Sequence, residues 1–262
     1  MIKLIASDMD GTLLAEGAPD IDPEVIVTIR ALKEKGIAFA AASGRQYLSM
    51  EKVFAPVKND IFFIANNGGY VTYKGKEIAQ CDIERNVLKE IVAYIRRQEN
   101  VFYMTSGFTR DFTDYNDLDM LRWLEDGYHI QAEVVDDVLD VEDTIIKVAM
   151  FCKNINADVG AEKAKAFLGD KVQIMASGEH WVDFVSSKSG KGSALKVICE
   201  KLNVKKEETM VFGDNSNDIS MFLEAGQSYA VENAREDAKR AAKYVLTGNH
   251  TLSVLKTMKA LL

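Results

Sequence analysis

The sequence predicts an α/β protein: a doubly wound parallel sheet interrupted by an inserted α+β domain. Short apolar runs that alternate with amphipathic stretches predict the parallel sheet. A middle section of different composition predicts the insert. The chain has 262 residues, of which 47% are hydrophobic and 27% charged. This composition is typical of globular proteins, so disordered, collagen-like and coiled-coil classes are excluded.

Four apolar runs are expected to form strands buried on both faces, because their hydrophobic residues are continuous rather than alternating. After the first run, Asp22 and Pro23 are typical of a helix start and Gly36 of its end, which makes one βαβ unit. Further helices are predicted over 191–202 and 218–225, followed by a strand at 229–231. The four strand runs are 2–6, 37–42, 61–65 and 209–212.

The middle of the chain, residues 81–181, is predicted to be a separate domain. It carries 11 basic and 20 acidic side chains, so it holds all of the acidic excess of the protein. Because the insert has a net charge of −9 and the rest of the chain +1, we predict a core formed by 1–80 and 182–262 with a cap formed by 81–181. The dense acidic stretch 111–143 is interpreted as a solvated face, with a site for a basic partner as the alternative. Elements predicted in the insert are helices at 84–97 and 157–168 and strands at 101–104 and 145–151.

Charge and composition also exclude several function classes. A net charge of −8 argues against nucleic-acid binding, which needs a basic surface. No apolar run approaches the ~18 to 20 residues of a membrane span, so no membrane partner is expected. Neither a disulfide framework nor a zinc site is suggested, and we expect a cytoplasmic protein. The cysteines and histidines are scattered singly, at Cys81, Cys152, Cys199, His129, His180 and His250.

Each strand run ends in a polar cluster, and these clusters are expected to meet at the carboxyl edge of the sheet, where open α/β sheets bind ligands. Carboxylates crowded there repel each other by roughly 4 kcal/mol per close pair at an effective dielectric of ~20. A divalent cation would relieve that repulsion, and all-oxygen ligands suit Mg²⁺. We therefore predict an Mg²⁺ site built for phosphoryl transfer. The residues brought together are Asp8, Asp10, Ser43, Asp214, Asn217 and Asp218, with Lys191 opening a helix beside them.

These residues fall into motifs that resemble the haloacid dehalogenase (HAD) superfamily of phosphohydrolases, specifically its Cof-type branch with a C2B cap. The resemblance spans the whole chain and implies a Rossmann-like core with an α+β cap. The motifs occur in the family's order: Asp8-Met9-Asp10-Gly11-Thr12-Leu13, Ser43-Gly44-Arg45, Lys191 within Ser189-Gly190-Lys191-Gly192, and Gly213-Asp214-Asn215-Ser216-Asn217-Asp218.

The resemblance implies a role for each of these residues. Asp8 would be the nucleophile that forms an aspartyl-phosphate, and Asp10 the general acid and base. Mg²⁺ would be held by the carboxylates of Asp8 and Asp214 and the main-chain carbonyl of Asp10. Asp218 would anchor Lys191 or a metal-bound water. Phosphate would be bound by the Ser43 hydroxyl, the main-chain amides of Met9 and Gly44, the Lys191 ammonium and the Asn217 side-chain amide.

Some positions keep two interpretations. Lys188 competes with Lys191, but Lys191 is favoured because it opens the amphipathic helix. Asn66 and Asn67 form a turn that could also face the substrate, and Arg45 is either a surface charge or a leaving-group contact. Four residues of the insert are interpreted as packing rather than as substrate contacts: Trp123, Tyr128, His180 and Trp181.

The function predicted is an Mg²⁺-dependent phosphatase of small organic phosphate monoesters, preferably sugar phosphates, with the insert as a cap over the substrate. A sugar phosphomutase with the same nucleophile is one alternative, and a non-catalytic phosphate-sensing protein is another. The partner expected is a small phosphorylated metabolite. We expect a monomer, with a homodimer as the alternative.

Overall fold

The computed structural model describes residues 1–14, 20–107, 110–128, 131–177, 179–248 and 250–262. His129 and the side chains of Tyr128 and His250, which the sequence analysis considered, lie outside the described residues. The chain divides into two compact units. The first is formed by Met1–Gln80 and Gly190–Leu262, and the second by Cys81–Ser189.

Strands and helices alternate through most of the chain. The strands are β1 (Leu4–Asp8), β2 (Ala38–Ala42), β3 (Phe62–Ala65), β4 (Tyr70–Tyr73), β5 (Lys76–Gln80), β6 (Val101–Ser106), β7 (Asp111–Thr113), β8 (Ala132–Val134), β9 (Lys147–Cys152), β10 (Val172–Ser177), β11 (Trp181–Ser186), β12 (Thr209–Gly213), β13 (Gln227–Ala230) and β14 (Tyr244–Val245). The helices are α1 (Pro23–Glu34), α2 (Tyr47–Val53), α3 (Arg85–Ile95), α4 (Leu118–Tyr128), α5 (Ala157–Leu168), α6 (Lys191–Leu202), α7 (Ile219–Leu223), α8 (Glu236–Ala241) and α9 (His250–Lys259).

The first unit is built on one sheet, which within the described residues has eight strands in the order β14-β13-β12-β1-β2-β3-β4-β5. The strands from β14 to β3 are parallel, as predicted. Strands β4 and β5, which the sequence analysis did not predict, extend this sheet with antiparallel pairing. The reason is the short connection after β3, because a parallel neighbour needs a crossover of a dozen or more residues.

Helix α1 begins and ends where the sequence predicts. The Asp22 side chain accepts a hydrogen bond of 2.8 Å from the main-chain amide of Glu24, and Pro23 is the first helical residue. Gly36 follows the helix with a φ of +78°, which glycine adopts without steric cost. The buried face of the helix packs on the sheet and carries Val25, Ile26, Thr28, Ile29 and Leu32.

The second unit is built on a separate sheet, which among the described residues has six strands in the order β10-β11-β9-β6-β7-β8. Helices α3 and α5 cover one face, with Leu88, Ile91 and Ala164 packed into the same cluster as Val148 and Phe184. On the other face, Met120 and Leu124 of α4 pack against Phe102, Met104 and Ala149. This is the predicted α+β insert, with apolar clusters of its own on both faces of its sheet.

The insert ends later than predicted, at Ser189 instead of residue 181. Strand β11 pairs antiparallel with both β9 and β10, so its residues belong to the sheet of the insert.

The sequence analysis interpreted four ring-bearing residues of the insert as packing residues, and this interpretation holds for three of them. Trp123, His180 and Trp181 surround Phe151 with ring centroids 5.0, 5.6 and 5.1 Å away.

The acidic stretch is less solvated than predicted. Asp111 is buried, and Asp114 accepts hydrogen bonds from Arg96, at 2.5 Å, and from the Tyr103 hydroxyl, at 2.7 Å. Asp137 also binds Arg96, at 2.8 Å. The interpretation as a solvated face is therefore wrong for Asp111 and Asp114, because a charge next to buried surface needs a partner. It holds for most other carboxylates of the stretch, which are exposed.

Within the part of the chain that the structure describes, no helix combines the length and the apolar character required to cross a bilayer.

Candidate active site

The predicted site residues lie at the carboxyl edge of the first sheet. Asp8 is the last residue of β1, and Ser43 directly follows β2, whose Ala42 pairs with Asp8. On the other side of β1, Asp214 directly follows β12. Parallel pairing therefore brings together groups that are about 200 residues apart in sequence.

Lys191, the first residue of α6, lies between two carboxylates. Its Nζ donates to Asp8 Oδ1 at 2.5 Å and to Asp218 Oδ1 at 2.6 Å. The side chains of Lys191 and Asp218 are fully buried. Burial acts to lower the pKa of Lys191, but the charges of Asp218 and Asp8 outweigh it and raise that pKa. The ammonium is thus held charged next to Asp8.

The competing lysine belongs to the other compact unit. Lys188 is exposed in the second unit, where its Nζ is 3.1 Å from Glu84. The ion pair raises the pKa of Lys188. Of the two lysines weighed from the sequence, Lys191 belongs to the same unit as Asp8 and contacts its carboxylate.

Asp218 organises the loop after β12. Its Oδ2 accepts hydrogen bonds from the main-chain amides of Asp214, at 2.9 Å, and Asn215, at 3.0 Å. The preceding Gly213 leaves room for it, because a Cβ on Gly213 would lie 2.5 Å from Asp218 Oδ2. Both oxygens of Asp218 are thus occupied by the protein, and the residue fixes Lys191 and Asp214 relative to each other.

Asp214 is held by a residue that the sequence analysis did not select. Thr12 Oγ1 donates to Asp214 Oδ1 at 3.0 Å, and Thr12 is fully buried. Gly11 lies against the same carboxylate and has a φ of +84°. A Cβ on Gly11 would lie 2.7 Å from Asp214 Oδ2, which is too close, so only glycine fits there. The sequence signal that could have identified Thr12 as a site residue is its position in the first motif, four residues after the predicted nucleophile.

Three carboxylates form a candidate metal site. Among the described residues, Asp8, Asp214 and Asp218 offer ligand oxygens that all lie within 4.8 Å of one another. Burial raises the pKa of Asp8 well above its ordinary value, and the charges of Asp218 and Asp214 raise it further, against the lowering effect of Lys191. Burial and the charge of Asp218 raise the pKa of Asp214 as well. Such a cluster favours a cation that neutralises it.

The donor set fits a magnesium ion. Asp8 Oδ2 is buried and has no hydrogen-bond partner among the described residues, so this oxygen needs a ligand from outside the chain. Oxygen donors in small number are what Mg²⁺ binds in proteins. Because Asp218 is engaged through both oxygens, Asp8 and Asp214 are the residues whose carboxylates would hold the ion. The part assigned to the main-chain carbonyl of Asp10 stays a prediction.

Asp10 has a different environment from Asp8. Its side chain is 44% exposed and forms a two-bond ion pair with Arg45, through Nε to Oδ2 at 2.9 Å and Nη2 to Oδ1 at 2.5 Å. Ser43 Oγ also donates to Asp10 Oδ2, at 3.4 Å. Arg45 is therefore paired within the site rather than isolated on the surface. The acid/base role of Asp10 stays a prediction.

The predicted phosphate-binding groups lie in the loops around Asp8. Met9 follows Asp8 and Gly44 follows Ser43, so their main-chain amides stand at the same sheet edge. The Asn217 side chain donates from Nδ2 to Asn67 Oδ1 at 2.8 Å, which links the loop after β12 to the turn after β3. The structure thus brings every residue of the predicted site to one edge of one sheet, while their roles remain predictions.

Comparison with known proteins assigns the family. The family model of haloacid dehalogenase-like hydrolases matches residues 5–258. The chain belongs to that family. The predicted resemblance is therefore confirmed, and so is the predicted enzyme class, a HAD-type phosphatase.

Several relatives match the chain over its full length. The 5-amino-6-(5-phospho-D-ribitylamino)uracil phosphatase YbjI of Escherichia coli is 29% identical, covering 100% of this chain and 96% of the relative. Phosphatase YwpJ of Bacillus subtilis is 27% identical, with 100% of both covered. A crystal structure from Eubacterium rectale has a TM-score of 0.91 at 31% identity and covers 100% of this chain and 99% of that one.

Proposed function

We propose that this protein is a magnesium-dependent phosphatase that hydrolyses small organic phosphate monoesters, sugar phosphates above all, through a phosphorylated Asp8. The observation that carries the proposal is the arrangement around Asp8. One of its oxygens is fixed by the buried Lys191, and the other is buried without a partner among the described residues. A carboxylate held in this way at the end of β1 is positioned to attack a substrate.

In the first half of the proposed reaction, an oxygen of Asp8 forms a bond to phosphorus while the bond from phosphorus to the ester oxygen breaks. Asp10 donates its proton to the departing oxygen, so an alcohol leaves and an acyl phosphate remains on Asp8. Asp10 suits this role because its side chain is the more exposed of the two carboxylates and lies two residues further along the chain.

In the second half, Asp10 removes a proton from a water molecule, whose oxygen attacks phosphorus. The bond between Asp8 and phosphorus breaks, inorganic phosphate leaves, and both carboxyl groups return to their starting states. The ion pair with Arg45 occupies both oxygens of Asp10, through hydrogen bonds of 2.9 and 2.5 Å. The substrate must therefore displace Arg45 from at least one of these oxygens before Asp10 can carry and donate the proton.

Charge on the transferred group is balanced by donors around Asp8. Lys191 is the main one, since it is buried and its charge is held by Asp8 and Asp218. Ser43 and Asn217 add neutral donors from two other loops. Bound to Asp8 and Asp214, Mg²⁺ would neutralise the phosphate and keep the Asp8 carboxylate ionised. Phosphoryl transfer depends mostly on this kind of positioning and electrostatic stabilisation.

The substrate is proposed to be a small phosphorylated metabolite. The relatives include the 5-amino-6-(5-phospho-D-ribitylamino)uracil phosphatases of E. coli and B. subtilis, at 29% and 26% identity. They also include phosphoglycolate phosphatase 1 of Saccharolobus solfataricus, at 25% identity. These substrates share a phosphate monoester and differ in the group that carries it. We propose that the second unit selects among such leaving groups.

The test is a panel of phosphorylated metabolites, with hexose, pentose and polyol phosphates and phosphoglycolate, assayed for phosphate release with Mg²⁺ present. Asp8→Asn is the inactive control. We expect release from at least one sugar or polyol phosphate. If protein that binds Mg²⁺ released phosphate from no substrate of the panel, the phosphatase proposal would be refuted. Isomer instead of free phosphate from a hexose 1-phosphate would identify a phosphomutase.

A further inference from the structure

The turn that follows β3 has an unusual backbone. Three successive residues, Asn66, Asn67 and Gly68, have φ angles of 49°, 55° and 94°. This left-handed region is rare for residues other than glycine, and asparagine tolerates it better than most. We call Asn66–Gly69 the asparagine turn. Such a conformation persists only where the surrounding structure holds it.

The asparagine turn is held by the three loops that carry the predicted phosphate donors. Its main-chain amides at Asn66 and Asn67 donate to the carbonyl oxygens of Arg45, at 2.9 Å, and Ser43, at 3.0 Å. Gly68 packs against the residue before Lys191, because a Cβ on Gly68 would lie 2.2 Å from the Gly190 carbonyl oxygen. The third link is the 2.8 Å hydrogen bond from Asn217 to Asn67.

The Asn67 side chain controls the orientation of the Asn217 amide. An asparagine amide presents a carbonyl oxygen at one end and an NH₂ group with two hydrogens at the other. Since Asn67 Oδ1 accepts from Asn217 Nδ2, one of those hydrogens is used and the NH₂ end is fixed in place. The second hydrogen stays available to an anion. Without the acceptor on Asn67, the amide could turn and present its oxygen to that anion.

The same side chain also lies against Gly44. A Cβ added to Gly44 would be 3.2 Å from Asn67 Nδ2 and 3.3 Å from Oδ1, so the backbone of Gly44 packs directly on the Asn67 amide. Asn67 is buried, with 7% of its surface exposed. It therefore contacts one predicted phosphate donor in the loop after β2 and another in the loop after β12.

We propose that Asn67 is a positioning residue for tetrahedral oxyanions such as phosphate. It acts through Asn217 and Gly44 and does not contact the organic part of the substrate. The inference rests on the proposed function and extends it to a residue outside the four family motifs. A residue that acts on the phosphate alone must affect all substrates equally, because the phosphate is the part they share.

The experiment uses Asn67→Gly, which removes the side chain while keeping a residue that adopts a positive φ freely. Dissociation constants of inorganic phosphate are measured by calorimetry with Mg²⁺ present, and kcat/KM is measured for several substrates. We expect phosphate binding to weaken about 10-fold or more. We expect kcat/KM to fall by the same factor for each substrate. The matched control is Asn203→Gly, an exposed asparagine with a φ of 52° at the far end of α6, which should change neither quantity.

A double-mutant cycle tests the route of the effect. If Asn67 acts through Asn217, then Asn67→Gly should weaken phosphate binding much less in an Asn217→Ala background than in the wild type. Unchanged phosphate binding in Asn67→Gly, or a loss of kcat/KM that differs between substrates, would overturn the inference. Wild-type protein that neither binds phosphate nor releases it would instead refute the proposed function, and the inference with it.

Discussion

Replacing Gly68 by alanine should destabilise the first unit through two separable effects. The first is backbone strain, because Gly68 has a φ of +94° and an L-residue in the left-handed region costs about 1–2 kcal/mol. The second is steric overlap, because the new Cβ would lie 2.2 Å from the Gly190 carbonyl oxygen. Overpacking of this kind costs about 1–3 kcal/mol. The expected loss in free energy of unfolding is therefore about 2–5 kcal/mol.

Gly75→Ala separates the two effects. Gly75 also has a positive φ, +67°, but among the described residues nothing lies within 4 Å of its Cβ position. Gly75→Ala should therefore suffer only the backbone strain, which lowers the free energy of unfolding by about 1–2 kcal/mol. Differential scanning calorimetry is the suitable assay, because both tryptophans lie in the second unit and their fluorescence would not report on the first. At about 2–4 °C per kcal/mol, the difference between the variants is measurable.

The steric overlap between the new methyl group of Gly68→Ala and the Gly190 carbonyl should also reduce activity. Gly190 immediately precedes Lys191, so a carbonyl that moves to accommodate the added methyl group shifts the ammonium that binds Asp8 at 2.5 Å. We expect kcat to fall about 10-fold or more in Gly68→Ala, since displacements of about 1 Å can cost far more than that. Gly75→Ala should keep its kcat. Equal midpoints and equal activities in the two variants would refute the reasoning.

Four further outcomes are expected. Thr12→Val removes the 3.0 Å bond to Asp214 and should raise the Mg²⁺ concentration for half-maximal activity about 10–100-fold; an unchanged value would contradict the role of Thr12. Asp218→Asn leaves Lys191 with one charged partner and should lower the free energy of unfolding by about 3–5 kcal/mol; an unaltered calorimetric midpoint would contradict this prediction. Asp8→Asn should stop phosphate release and leave the circular dichroism spectrum unchanged; near-full turnover would exclude the covalent route. Chelation should inhibit and Mg²⁺ should restore activity, whereas activity that survives chelation would argue against a metal.

The sequence predicts those elements whose signals are local. Helix α6 has its predicted bounds because its apolar spacing is a local signal, and α1 begins at Pro23 as expected because its capping residue Asp22 directly precedes it. The buried strands β1, β2, β3 and β12 were likewise visible as continuous apolar runs. Since polar clusters follow them, parallel pairing alone predicts which carboxylates gather.

The sequence does not predict features that depend on tertiary partners. Assigning strand β11 to the insert requires knowledge of its neighbours β9 and β10. The contacts of Thr12 with Asp214 and of Asn67 with Asn217 join residues about 150 to 200 positions apart, and no local pattern specifies them. Asp111 is buried although it sits in an acidic run, since burial is decided by the folded sheet.

The position of β1 has a consequence for how the protein is made. On one side β1 pairs with β2, whose Ala38 lies opposite Leu4, and on the other with β12, whose Thr209 lies opposite the same residue. A nascent chain can form the first pair early, but the second must wait until the entire insert has left the ribosome. Until then β1 keeps an open edge, which invites aggregation. Catalytic competence is therefore acquired near the end of synthesis, and a chain cut short before β12 would carry Asp8 and Lys191 but lack Asp214 and Asp218.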